Sequence, residues 1–140
     1  MKPVLETKST YKGYPYVVLF MPGAYRCGYV GVPYSHKLAK KRVVDLGYLN
    51  CHGGITYAES HLYNCDDENT WWIGFDCGHC FDDGHDADTA KLYFGDDPGF
   101  KRAFLVFEGF WRETNKESEI RSLAYVKDEC KKLIDQIEKE

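Results

Sequence analysis

Two β-prone runs stand back to back in the first quarter of the chain and constrain everything that follows. Tyr14-Pro-Tyr-Val-Val-Leu-Phe-Met21 and Tyr25-Arg-Cys-Gly-Tyr-Val-Gly-Val32 are rich in β-branched and aromatic residues, which fit a pleated, half-buried surface. Gly13 bounds the first, and Pro22-Gly23 separates the two, so the pair predicts a β-hairpin closed by a Pro-Gly turn. Gly28 and Gly31 weaken a strand's intrinsic preference and mark a bulge or a place where another backbone or a ligand comes close. Gly54-Ile-Thr-Tyr57 and Thr70-Trp-Trp-Ile-Gly-Phe75 predict two more strands, the second central and well buried because of its two tryptophans. Ala103-Phe-Leu-Val-Phe107 reads as a further strand whose place in the sheet is open. The basic stretch between Tyr34 and Asn50 reads as a solvated connection with a short helical turn.

A hairpin cannot stand alone in water, and the C-terminus supplies its cover. Leu123, Val126, Cys130, Leu133, Ile134 and Ile137 recur at helical spacing, with Lys127, Asp128, Lys131, Lys132, Asp135 and Glu138 on the opposite side. Asn115, Ser118 or Ser122 could cap this helix. The expected architecture is α+β, a mainly antiparallel sheet of about four to five strands with a C-terminal amphipathic helix packed on it. At 140 residues the chain reads as a single domain, 1–140.

The formal net charge is −4, but its distribution matters more than its sum. Residues 1–64 carry eight basic and three acidic side chains, residues 65–97 one and ten, and residues 98–140 nine of each. A net charge of −4 argues against a general nucleic-acid binder, which neutralises phosphates with Lys and Arg, and the block 65–97 reads first as a solvated acidic surface. The longest hydrophobic run, Tyr16–Met21, is too short for a membrane span or an export signal. A soluble cytoplasmic protein is expected, with its six cysteines reduced and mostly acting as small buried residues.

Phosphate-loop, dinucleotide, zincin and serine-hydrolase signatures are all lacking. Titratable residues concentrate instead in Cys51-His-Gly-Gly-Ile-Thr56 and in Gly74-Phe-Asp-Cys-Gly-His-Cys-Phe-Asp-Asp83, each at the end of an expected strand. His52, Gly53, Gly54 and Thr56 with Asp76, Cys77, His79 and Asp82 are the candidate ligand-binding residues. Tyr29 and Trp72 join them because flat side chains stack on flat ligands, and aromatic residues make up 16% of the chain. Three chemistries remain open: a polar network without metal, a divalent-metal site on His52, Asp76, His79 and Asp82, and a zinc site using Cys77 and Cys80 with His79 or His85. A thiolate nucleophile at Cys77 or Cys27 beside a histidine is a fourth.

Arg26-Cys-Gly-Tyr-Val-Gly-Val-Pro33 with His36, His52-Gly-Gly-Ile-Thr-Tyr57, Trp71-Trp-Ile-Gly-Phe-Asp-Cys-Gly-His79 with Asp82, and Tyr125-Val-Lys-Asp-Glu-Cys130, in that order, resemble a group of small bacteriophage and prophage proteins. Cys80 stands where that group carries a small residue, which weakens the zinc site. The resemblance implies a phage origin and a bacterial host cytoplasm. The leading expectation is therefore a phage accessory protein that binds a small polar, nucleotide-derived ligand at a His/Asp-lined strand end and counters host defence, with no cofactor. The alternatives are a metal-dependent, phosphoesterase-like hydrolase, and an acidic inhibitor that docks on a host nucleic-acid enzyme or defence protein through segment 65–97.

Overall fold

The computed structural model describes residues 1–78, 83–116 and 118–140. Five strands, β1 (Val4–Tyr11), β2 (Tyr14–Met21), β3 (Tyr25–Pro33), β4 (Tyr57–Glu59) and β5 (Thr70–Asp76), form one antiparallel sheet in the order β1-β2-β3-β5-β4. A minimal parallel pair, β6 (Asp83–Gly84) with β7 (Glu119–Ile120), sits apart from it. Three helices follow: α1 (Ala87–Phe94), α2 (Pro98–Asn115) and α3 (Leu123–Ile137). The α+β architecture with a C-terminal helix on an antiparallel sheet is the one the sequence predicts.

The hairpin of β2 and β3 forms as expected, although the left-handed residue of its turn is Ala24, at φ 67°, and not the glycine. β1 extends the hairpin to a meander through Lys12 and Gly13, both at positive φ as a tight turn between twisted strands requires. The Thr70–Phe75 run becomes β5, an interior strand between β3 and β4. Of the run Gly54–Tyr57 only Tyr57 is in a strand, because Gly53 and Gly54 are held at φ 69° and 83° in the preceding turn.

Alternation along the strands gives the sheet two unlike faces. On one, Tyr16, Val18, Val30, Ile73 and Phe75 meet α3, whose Val126, Cys130, Leu133, Ile134 and Ile137 are fully buried. Burying side chains of this kind stabilises by about 1.5–3 kcal/mol each. Gly28 is the point of closest approach: a Cβ there would lie 2.5 Å from Phe75 Cζ and 2.8 Å from Cys130 Sγ. Its small size therefore serves helix packing. Farther along the same face Phe20 and Ala24 pack with Ala90, Phe94, Phe100 and Trp111 of α1 and α2.

The Ala103–Phe107 run is not a strand; it lies inside α2. Read over a longer window, Phe100, Phe104 and Trp111 recur at helical spacing, and their rings meet in tilted and edge-to-face contacts along one side of that helix. Ser122 is the cap of α3, accepting from Tyr125 N at 3.1 Å. Asn115 instead brackets His85, accepting from its backbone N at 2.8 Å and donating to its carbonyl at 3.0 Å.

One buried cation joins these layers. Arg26, 5% exposed, donates to Glu6 at 2.7 Å, to Asp86 at 2.9 Å and to the Arg121 carbonyl at 3.1 Å, and its guanidinium lies over the Phe20 ring. Asp86 also caps α1 by accepting from Thr89 N. Burial alone would raise the Asp86 pKa, but the hydrogen bonds from Thr89 and Arg26 outweigh it and hold the carboxyl below its ordinary value.

Candidate functional site

The opposite face of the sheet is only partly covered. The segment between β4 and β5 lays Leu62 and Cys65 over Val17, Leu19 and Trp72, and leaves the end of the face open. There the alternation of β3 points Tyr25, Cys27 and Tyr29 outward at every second residue, while β5 contributes Gly74 and Asp76. Register does the rest: Tyr29 pairs with Gly74 and Cys27 with Asp76, and on the far side Tyr57 also pairs with Gly74. The two tyrosine rings meet edge to face, 5.2 Å apart at 82°, across the strand that carries no side chain between them. A Cβ at Gly74 would collide with the Tyr29 ring.

The result is a cavity of about 290 Å³ lined by Tyr25, Cys27, Tyr29, Thr56, Tyr57 and Asp76, among others. Asp76 is fixed at its rim, accepting from Thr56 Oγ1 at 3.1 Å and from Gly78 N at 3.0 Å. Thr56 is held in turn by its backbone N–H, which donates to the Gly74 carbonyl at 2.9 Å.

Among the described lining residues Asp76 is the one acidic side chain. Burial pushes the Cys27 thiol up to about 12, and the Asp76 carboxylate adds to it against a hydrogen bond from Tyr29. Burial likewise raises Tyr29, Tyr25 and Tyr57. The tyrosine hydroxyls and the Cys27 thiol of the lining are thus neutral at neutral pH, and among the described lining residues there is no Lys or Arg. Cys27 held as a thiol is a poor nucleophile. The arrangement can accept hydrogen bonds from, and balance the charge of, a donor-rich or cationic group, while the rings cover a flat or apolar body.

Of the residues singled out in the sequence, Tyr29, Thr56 and Asp76 come together here. Trp72 is on the same face but fully buried under Leu62 and Cys65. His52 is drawn to α3, where its Nδ1 lies 2.8 Å from the Tyr125 hydroxyl and the rings meet at 88°. Gly53 and Gly54 make the turn beside it, with Gly54 N donating to the Cys51 carbonyl at 3.0 Å. Cys77 is buried in the core against α3. His79, Cys80 and Asp82 lie outside the described residues, and with them half of the expected metal ligands. Among the described residues no group of three or more His, Cys, Asp or Glu is placed to hold a metal ion. His85 stacks on Trp111 and bonds the Gly23 carbonyl.

Tyr25 and Tyr57 escaped the sequence reading, and Cys27 enters it only as a candidate nucleophile. Tyr25 and Cys27 share the period-two phase of Tyr29, a signal that was present, whereas Tyr57 reaches the cavity only through cross-strand register. Within the acidic segment 65–97, Asp67 pairs with Lys8, Asp86 with Arg26, and Asp97 accepts from Phe100 N at the start of α2. Compared with family models, with curated proteins and with solved structures, the chain has no match.

Proposed function

We propose that the protein binds a small polar ligand in the cavity between β3, β5 and the entry to β4, and does not turn it over. The observation that carries this reading is a carboxylate, Asp76, at the rim of a cavity walled by tyrosines, with no basic side chain among the described lining residues. Such a site suits a ligand that presents N–H donors or positive charge on a flat body, and a nucleobase or nucleoside meets that description. A phosphate in the same place would face the Asp76 carboxylate, so the phosphates of a nucleotide-derived ligand would lie outside the cavity. The resemblance to phage proteins supplies the biological setting, interception of a nucleotide-derived signal of host defence.

Calorimetric titration with free bases, nucleosides and the matching nucleotides tests the reading. Binding is expected for bases or nucleosides, weakened roughly tenfold or more by Asp76→Ala, as for loss of a charged hydrogen-bond acceptor. Gly74→Val, which drives the Tyr29 ring from its place, should abolish it. Binding that survives both substitutions, or no heat from any member of the series, would sink the proposal.

A further inference from the structure

We propose that the outward face of α2 pairs with the same face of a second copy of the chain, the helices antiparallel about a two-fold axis between residues 107 and 108. This proposal is independent of the ligand reading. One side of α2 is spent on the fold, through Phe100, Phe104 and Trp111. On the other, Arg102, Val106, Gly109 and Glu113 stand four, three and four residues apart and make a single stripe. Flanking it, Leu105 is 81% exposed and Phe110 53%, and Val106 within the stripe is 73% exposed. A helix that shows water Leu105, Val106 and Phe110 side by side has a second surface to bury.

The charges say which surface. Arg102 opens the stripe and Glu113 closes it, so a two-fold antiparallel pairing sets Arg102 of each copy level with Glu113 of the other. Parallel pairing would set like charge against like. The same operation brings Val106 level with Gly109, the two Phe110 rings onto one flank and the two Leu105 side chains onto the other. Gly109 has open space where a Cβ would be, so the fold of its own chain does not need a glycine there. A glycine does, however, let a facing helix come close. Among the described residues Glu113 pairs with Lys116 at 2.9 Å, an exposed pair that exchanges readily.

An 18-residue helix is about 27 Å long, and one face of it buries less than the roughly 800 Å² per partner of a standard interface. The dimer is accordingly reversible and concentration-dependent. Sedimentation equilibrium on the full chain over a concentration series tests it. The expected result is a monomer–dimer equilibrium, weakened at least about tenfold by Arg102→Glu and restored by Arg102→Glu with Glu113→Arg, circular dichroism confirming that each variant is folded. A wild-type monomer up to the solubility limit overturns the proposal. So does a dimer that Arg102→Glu leaves unchanged, or a double variant that fails to restore association.

Discussion

At the scale of single residues, two side chains carry far more than composition would assign them. Gly74 makes the cavity by being absent: its neighbours Tyr29 and Tyr57 close over it, and Asp76 follows on the same face two residues later. Arg26 looks like one more cation in a basic N-terminal half, yet it is sealed between Glu6, Asp86 and a carbonyl of the segment leading into α3. Glu6 is itself only 3% exposed at the side chain and also accepts from the Tyr93 hydroxyl at 2.7 Å. Replacing Arg26 with Met would strand that carboxylate without its counter-charge, a loss of about 3–5 kcal/mol. Chemical denaturation should show this for Arg26→Met, and Arg26→Met with Glu6→Gln should recover much of it. Equal losses in the single and double variants would mean that the packing of the Arg26 stem, and not the stranded charge, dominates.

Elements differ in how openly they announce themselves. α3 was legible because its apolar residues repeat at helical spacing over 15 residues and nothing competes with that pattern. Its cap is equally local: Ser122→Ala removes the hydrogen bond to Tyr125 N and should cost about 1 kcal/mol in thermal or urea unfolding. An unchanged midpoint would show that the frayed first turn contributes nothing. α2 was misread because five consecutive residues, Ala103–Phe107, are apolar in any phase, and a strand and a doubly apolar helix look alike over so short a window. The helix is apolar on two sides, one packed on α1 and the other facing out, which is also why it carries the self-association proposal. β1 was passed over because its alternation is blurred by an irregularity between Leu5 and Thr7, the same irregularity that leaves Glu6 out of the pairing register.

For the molecule as a whole, pH probes how the layers are held. Asp86 ties α1 to the sheet, and Asp135 forms an ion pair with Lys12 at the β1–β2 turn. The contact with Lys12 is the main reason that the Asp135 pKa is lowered, while that of Asp86 is lowered against the opposing effect of burial. A carboxyl with a lower pKa folded than unfolded stabilises above its ordinary value of 3.8 and loses that contribution as the pH falls below it. On the alkaline side the sign reverses. Burial pushes Cys27, Cys51 and Cys130 from 9.0 to about 12, so their contribution is complete below pH 9 and is lost as the pH rises from 9 to 12. The urea midpoint should therefore be flat between these limits and fall beyond both; a midpoint that holds steady from pH 9 to 12 would refute the buried-thiol account.

No helix among the described residues is long and apolar enough to cross a membrane. The sequence by itself determined the fold class, the β2–β3 hairpin, the interior position of β5 and the terminal helix, because each follows from hydrophobic periodicity and turn chemistry within a dozen or so residues. Tertiary structure alone decided what stands beside what. Tyr29, Thr56 and Asp76 meet because strand register places Gly74 between two tyrosines, whereas His52, inside the glycine turn, is carried round to Tyr125 on α3. Period-two alternation gives every strand residue a face, but which residue lies opposite is fixed only when all five strands are paired, and that is a property of the whole sheet.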